Sequence, residues 1–269
     1  MSVLDRDMSD ADFQNFISAA RDLAGIELNE SKRHLVVSRL IRRVKELDLP
    51  NLGEYRRYLS DHMASERENF VNAITTNLTS FFRESHHFDY LRDWVKHEHK
   101  GPVRIWSSAS STGQEIYSAA ITLEEVNALE RASLLGTDID TRCVANAKSG
   151  VYPVSEIENL DSVRRKRHFL KGTGQNAGKV RVKPHLYANT EFSQLNLMDS
   201  WPSEMKFEVV FCRNVFIYFD EETQRSLMRR FAQVLVPGGI LFLGHSESYK
   251  DNEGLFAMDG RTTYRRSQA

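Results

Sequence analysis

The chain has 269 residues, beyond the common single-domain size of about 100–150, so it holds one large domain or a small domain joined to a larger one. With 41% hydrophobic and 27% charged residues, 14 Gly and 6 Pro, the composition excludes collagen-like, disulfide-framework and wholly disordered chains. Lys+Arg 36 against Asp+Glu 37 gives a net charge of −1, which argues against a surface built throughout for nucleic acid. The N-terminal MSVLDRDMSD is acidic and lacks an apolar h-region, and no apolar run approaches the roughly 18–20 residues that span a bilayer. The expectation is a cytoplasmic protein without direct membrane insertion. Cys143 and Cys212, the two cysteines, lack metal-ligand spacing, so structural zinc is not expected.

In chain order, Phe13, Phe16, Ile17, Ala20 and Leu23 form a helical stripe with Ser9 as N-cap and Gly25 as stop. Val37, Leu40, Ile41, Val44 and Leu47 form a second stripe ending before Pro50, and Tyr55, Tyr58 and Leu59 suggest a third, short helix. Residues 1–75 therefore read as a small all-helical domain, and 76–100 as a linker and a helix that contribute to a cofactor site. His86, His87, His97 and His99 form a local excess, but no carboxylate or thiol set accompanies them, and no metal is expected.

From Val103 the pattern becomes short β-rich runs separated by helical stretches: VRIWS (103–107), SLLGT (133–137), EVVFC (208–212) and ILFLG (240–244). That alternation predicts an α/β domain over 101–269, with a parallel sheet covered on both faces. Between about 152 and 190 the alternation is interrupted by GTGQNAG (172–178) and KVRVK (179–183), read as an inserted small β subdomain.

The strand VRIWS runs into SASSTGQE (108–115) and a helix. A small-residue turn at a helix N-terminus lets backbone N–H groups approach a nucleotide, although the single Gly113 is equally what tight packing of strand on helix requires. In GTDID (136–140), Asp138 is placed to accept hydrogen bonds from ribose hydroxyls or to cap a helix, and Asp140 suits the cap better. With no phosphate-binding GxxxxGK[ST] lysine, a phosphate-free adenosine cofactor fits best, and S-adenosylmethionine is the natural one. FCRNVFIYFD (211–220) puts Arg213 and Asn214 at the carboxyl end of a buried strand, where open α/β sheets bind ligands; Asp220 is the better helix cap, and Cys212 reads as a small buried hydrophobe.

TTNLTSFFRESHHF (75–88), RIWSSASSTGQEIYS (104–118), TDIDT (137–141), FCRNVFIYFDEETQ (211–224) and PGGILFLGHSES (237–248) together resemble, in order and over nearly the whole chain, the CheR family of chemotaxis receptor methyltransferases. The resemblance implies a Rossmann-like S-adenosylmethionine-dependent domain with a β subdomain behind a helical domain. It also implies methyl transfer to glutamate side chains of chemotaxis receptors, leaving S-adenosylhomocysteine. By that likeness Asn77, Thr79, Arg83, Glu115, Asp138, Asn196, Leu197, Cys212 and Arg213 stand where the family contacts its cofactor, and Tyr218 resembles its substrate-side aromatic. Two acidic residues often follow the motif glycine in the family; here they are Gln114 and Glu115.

Methyl transfer from a sulfonium to a carboxylate is an in-line displacement that needs no general base, since glutamate ionises near pH 4.3. Arg83 and Arg213 then orient the cofactor or the incoming carboxylate, their separate roles unassigned, with Tyr218 as a wall of the site or a core aromatic. The alternative is a regulatory module that binds S-adenosylmethionine without transferring methyl groups. Two docking surfaces are expected. KVRVK offers a strand edge to a receptor's C-terminal peptide, with Arg181 or Lys183 on its carboxylate, or is a plain surface hairpin. Lys32, Arg39, Arg42 and Arg43 share an arc of roughly 100° opposite the apolar stripe, a basic face for receptor methylation helices or a solvated helix face.

Overall fold

The computed structural model describes residues 8–201 and 204–268. The N-terminal unit is α1 (Asp10–Ala24), α2 (Arg33–Glu46), α3 (Leu52–Asp61) and α4 (Met63–Ile74), packed around Phe13, Phe16, Leu40, Tyr55 and Phe70, all fully buried. Ser9 caps α1 through a reciprocal capping box with Asp12, and Gly25 ends it at φ 68°, a left-handed conformation that only glycine adopts without strain. Three helices were expected here and four form. In α4, MASERENFVNAI, the large apolar residues Phe70, Val71 and Ile74 crowd into the second half, and the buried positions Glu66 and Asn72 are polar, so no continuous apolar stripe marks its inner face.

A linker leads to α5 (His86–His97) and then to the α/β unit: β1 (Val103–Ser107), α6 (Gln114–Glu125), β2 (Ala132–Asp138) and α7 (Thr141–Ser149). Next come β3 (Val151–Pro153), α8 (Ser162–His168), β4 (Phe169–Lys171), β5 (Lys179–Val182), α9 (Pro184–Tyr187) and β6 (Thr190–Gln194). The chain closes with β7 (Phe207–Cys212), α10 (Glu221–Val234), β8 (Leu235–Leu243), β9 (Phe256–Gly260) and β10 (Thr263–Arg266). The large sheet runs β6-β2-β1-β7-β8-β10-β9. Its first five strands are parallel, but β10 and β9 pair antiparallel, so the sheet is mixed where a wholly parallel one was expected. From β1 the chain first builds outward through β2 and later returns to lay β7 on the other side of β1. The crevice beyond the carboxyl ends of β1 and β7 is thus the topological switch point, where open α/β sheets take ligands.

The inserted subdomain is a three-stranded antiparallel sheet, β3-β5-β4. Phe81 fastens it to the linker by edge-on contacts with Tyr152 and Phe169, ring centroids 5.1 and 5.2 Å away. KVRVK is its central strand: Arg181 faces Val151 of β3 on one side and Leu170 of β4 on the other. The strand edge expected in KVRVK is therefore occupied on both sides, and the free edges belong to β3 and β4. Lys183 donates to the Lys166 carbonyl, and the Arg181 guanidinium lies over the Tyr187 ring. Among the described residues no helix is long and apolar enough to cross a membrane.

Candidate functional site

A cavity of about 360 Å³ opens at the switch point, walled by the ends of β1, β2 and β7, by the end of α4 and the linker at 75–79, and by α2 of the helical domain. Its floor comes from the β1–α6 turn. Gly113 sits there at φ 95°, and a Cβ would lie 2.8 Å from the Ala147 Cβ and 3.2 Å from Phe192. Gly113 thus permits tight packing of the α6 start on α7, and Ser108, Ala109 and Ser111 of the same turn line the cavity.

At the end of β2, Asp138 is 6% exposed; its Oδ2 accepts from the Ser111 N–H at 2.7 Å and its Oδ1 from the Asp140 N–H at 2.9 Å. Burial pushes the Asp138 carboxyl up to about 6 in spite of these bonds. Asp140 caps α7 at the Arg142 N–H, 2.9 Å, so the two acids divide their roles as their sequence positions suggest. Asn77 Nδ2 donates to Asp140 Oδ2 at 2.7 Å, and the Asn77 carbonyl accepts from Ser111 Oγ at 2.8 Å, which pins the linker across the cavity.

At the end of β7, Arg213 is buried and its guanidinium is engaged. Nη1 donates to Glu115 Oε2 at 2.8 Å, while Nη2 donates to the Arg83 carbonyl and stands 3.2 Å from Glu84 Oε2. Burial opposes ionisation of Glu84, but Arg213 and the Asn214 amide outweigh it and hold that carboxyl at about 2. Glu115, also held by Ser107 Oγ at 2.7 Å, moves the other way, because burial dominates and raises its pKa. Glu84, His86 and His87 bring ligand-type atoms within 4.8 Å of one another, so one carboxylate does stand beside the histidine pair. Glu84 is committed to Arg213 and Asn214, however, and offers no free anion there.

Glu247 was not singled out from sequence. It accepts from the Asn214 N–H at 2.8 Å, the Gly244 N–H at 2.6 Å and the Ile217 N–H at 3.3 Å, and so holds the β7–α10 loop that carries Tyr218. The available signal was its place in GHSES: an acid just past an apolar strand faces the backbone donors of the neighbouring strand's end.

The all-alpha CheR methyltransferase domain model matches residues 11–75, and the S-adenosylmethionine-binding CheR methyltransferase domain model matches residues 77–265. The chain belongs to the CheR methyltransferase family. Relatives named chemotaxis protein methyltransferase include that of Salmonella typhimurium, 41% identical over 96% of this chain and 90% of its own length. A second, from Escherichia coli, is 41% identical over 96% and 91%. "Chemotaxis protein methyltransferase 2" of Pseudomonas aeruginosa is 44% identical over 94% of this chain and 92% of its own length.

S-adenosylmethionine is the cofactor of this CheR domain, and the cavity offers such a group a buried carboxylate acceptor in Asp138; Glu115 lines it too, with its oxygens held by Ser107 Oγ and Arg213. Asn77, Thr79, Arg83, Asn196, Leu197, Arg213 and Tyr218 all line the cavity as well. Asn196 Nδ2 donates to the Leu23 carbonyl at 2.8 Å, and the Tyr218 carbonyl accepts from the Glu27 N–H at 2.7 Å, so the helical domain closes directly on the site. Arg83 is steered by its own Nη1 donating to the Leu78 carbonyl at 2.7 Å.

Two expectations are corrected. The Cys212 side chain lies behind the cavity wall, fully buried with Trp106, Leu241 and Leu243, as befits a small hydrophobe in the middle of a sheet. The basic face of α2 is not offered whole. Arg43 forks onto Glu66 at 2.6 and 2.7 Å, with Glu66 2% exposed, and that pairing raises the Arg43 pKa. Arg39 reaches into the cavity and donates to the Ile74 carbonyl and Thr76 Oγ1. Arg42 alone of the three has its side chain in solvent, 81% exposed and beside Glu46.

Proposed function

We propose that this CheR-family protein esterifies glutamate side chains of chemotaxis receptors in the cytoplasm. The observation that carries the reading is one cavity built jointly by the S-adenosylmethionine-binding end of the sheet and the cationic helix α2. S-adenosylmethionine supplies a methyl carbon activated by sulfonium; a glutamate oxygen displaces the sulfur in line, leaving a methyl ester and S-adenosylhomocysteine.

The residues act by binding and orientation. Asp138 accepts from the ribose, and Glu115, held by Ser107 and Arg213, shapes the wall of the same cavity. Arg83, the half-buried guanidinium of the linker, orients the incoming carboxylate, and Tyr218 walls its approach. Arg213 is a positioning residue that locks Glu84, Glu115 and the Arg83 backbone together. Aligned reactants contribute up to roughly 7–11 kcal/mol in favourable cases, enough for a reaction whose nucleophile is already ionised. A receptor C-terminal peptide has the free edges of β3 and β4, with Val151 and Leu170 exposed beside them, to add to.

The test is incubation with methyl-labelled S-adenosylmethionine and membranes carrying chemotaxis receptors. Label on the receptor that is released as methanol by mild alkali identifies carboxyl esters. Tight cofactor binding with no alkali-labile label would leave a binding module in place of an enzyme.

A further inference from the structure

Of the residues that line the cavity, four are exposed, Leu35, Thr76, Leu78 and Ile217, and three of these are large aliphatics. They come from separate parts of the chain: α2, the linker, and the turn after β7. Leu78 is 78% exposed, more than any other large hydrophobic among the described residues, and Ile217 is 51% exposed. Ile217 is also held in place, since its backbone N–H donates to the buried Glu247 and the flanking turn is closed by the Tyr218 N–H on the Val215 carbonyl. Leu78 likewise has its carbonyl bonded by Arg83. Exposed aliphatics whose backbones are fixed in this way form a standing apolar surface.

Behind this rim the lining changes character. Lys32, Arg39 and Arg83 are half-buried and cationic, and Lys32 Nζ lies over the Tyr218 ring at 5.6 Å. An apolar collar around a cationic throat selects a carboxylate carried on an apolar surface. A free amino acid or other small acid would pass through without touching the collar.

We propose that Leu35, Leu78 and Ile217 form a docking collar for an amphipathic helix, gripping apolar side chains one turn to either side of the glutamate that enters the cavity. On a helix the neighbours at three and four positions lie about 5–6 Å from the central residue, so they meet a rim while the glutamate reaches past it. The collar thus sets which glutamates are methylated, through their flanking residues. The exposed Arg42 on the same helix as Leu35 complements further acidic residues of such a partner. This inference rests on the receptor reading above and adds the specificity determinants to it.

The experiment compares the parent, Leu78→Ser/Ile217→Ser, the conservative Leu78→Met/Ile217→Val, and Met258→Ser, which changes a 68% exposed aliphatic on the distant strand β9. Initial rates are measured with receptor-bearing membranes and, separately, with S-adenosylmethionine as the varied substrate; thermal melting confirms folding. The expected result is a tenfold or greater rise in receptor KM for the serine variant, with the cofactor KM within twofold of the parent. The conservative pair and Met258→Ser should behave as the parent. Receptor KM within twofold of the parent for the serine variant overturns the collar and leaves the receptor reading intact. A parallel rise in both KM values also overturns it, because the residues would then belong to the cofactor's own site. A parent enzyme that esterifies no receptor overturns the reading and the collar together.

Discussion

Arg213 Nη1 donates to Glu115 Oε2 at 2.8 Å with only 1% of the arginine side chain exposed, and the same guanidinium stands 3.2 Å from Glu84. One buried cation therefore serves two carboxylates, one from α6 and one from the linker before α5. Removing one partner of such a group strands the others without solvent, which costs about 3–5 kcal/mol. Arg213→Ala should lose that much in urea unfolding and lose methyl transfer with it. Arg213→Lys should recover little, since an ammonium lacks the planar fork that spans both carboxylates. Unfolding midpoints equal to the parent would remove the positioning role.

Asp138, as the proposed ribose acceptor, should make cofactor binding pH-dependent. Its carboxyl is raised from 3.8 to about 6 by burial, so between pH 7.5 and 5 the acceptor for the ribose hydroxyls becomes protonated. If the protonated form does not bind, affinity for S-adenosylhomocysteine should fall about tenfold from pH 7.5 to 5. Stability of the free protein carries the opposite sign. The contribution of a group whose folded pKa is raised is fully present below about pH 4 and is lost as pH rises through about 6. Calorimetry across this range checks the first statement, and Asp138→Ala should flatten the dependence while weakening binding well over tenfold at pH 7.5.

Local signals carried much of this structure. Ser9, Gly25, Asp140 and Asp220 all cap where their neighbours in sequence say they should, because a cap needs only the few residues on its helix side. The central strands were legible for a related reason: buried on both faces, they carry unalternated apolar residues, Ile105–Trp106 in β1 and Val209–Cys212 in β7. The polar edge strand TEFSQ of β6 and the antiparallel pair β9 and β10 were not, since a strand at the rim of a sheet needs few apolar residues. The position of Asp138 on the cavity wall was legible from its place at the end of a strand. The engagement of Arg43 with Glu66 was not, because a helical wheel gives the direction of a side chain and says nothing of which helix stands opposite.

Gly113 combines two demands that no other residue meets. At φ 95° an L-residue pays roughly 1–2 kcal/mol in backbone strain, and an added Cβ would sit 2.8 Å from that of Ala147. Gly113→Ala should therefore lose about 2–4 kcal/mol and displace the turn under the cavity. Adding Ala147→Gly removes the closest contact, while the Ala147 Cα at 3.1 Å and Phe192 at 3.2 Å stay, so the double variant should recover part of the melting temperature and not all of it. Full recovery would show that the left-handed backbone contributes nothing.

The two arginines at adjacent positions on α2 should separate stability from substrate encounter. Arg43 is joined by two hydrogen bonds to Glu66, which also accepts from Tyr55 Oη at 3.1 Å, and this knot ties α2 to α3 and α4. Because Glu66 is almost wholly buried, Arg43→Ala leaves an unpaired interior carboxylate and should cost about 3 kcal/mol, somewhat less than a fully enclosed pair since Arg43 itself keeps 18% exposure. Arg42, with its side chain 81% exposed and only a surface partner in Glu46, should be replaceable by Glu within about 0.5 kcal/mol. Its effect belongs instead to encounter with an acidic partner: receptor methylation by Arg42→Glu should slow severalfold at low salt and converge on the parent as ionic strength rises and the Debye length shrinks to a few ångströms. Urea unfolding of both variants, with receptor methylation rates at low and high salt, reads the two roles independently. An Arg43→Ala protein as stable as the parent would show that the Glu66 pair carries no structural weight, and a salt-independent Arg42→Glu rate would remove this end of α2 from the path of the substrate.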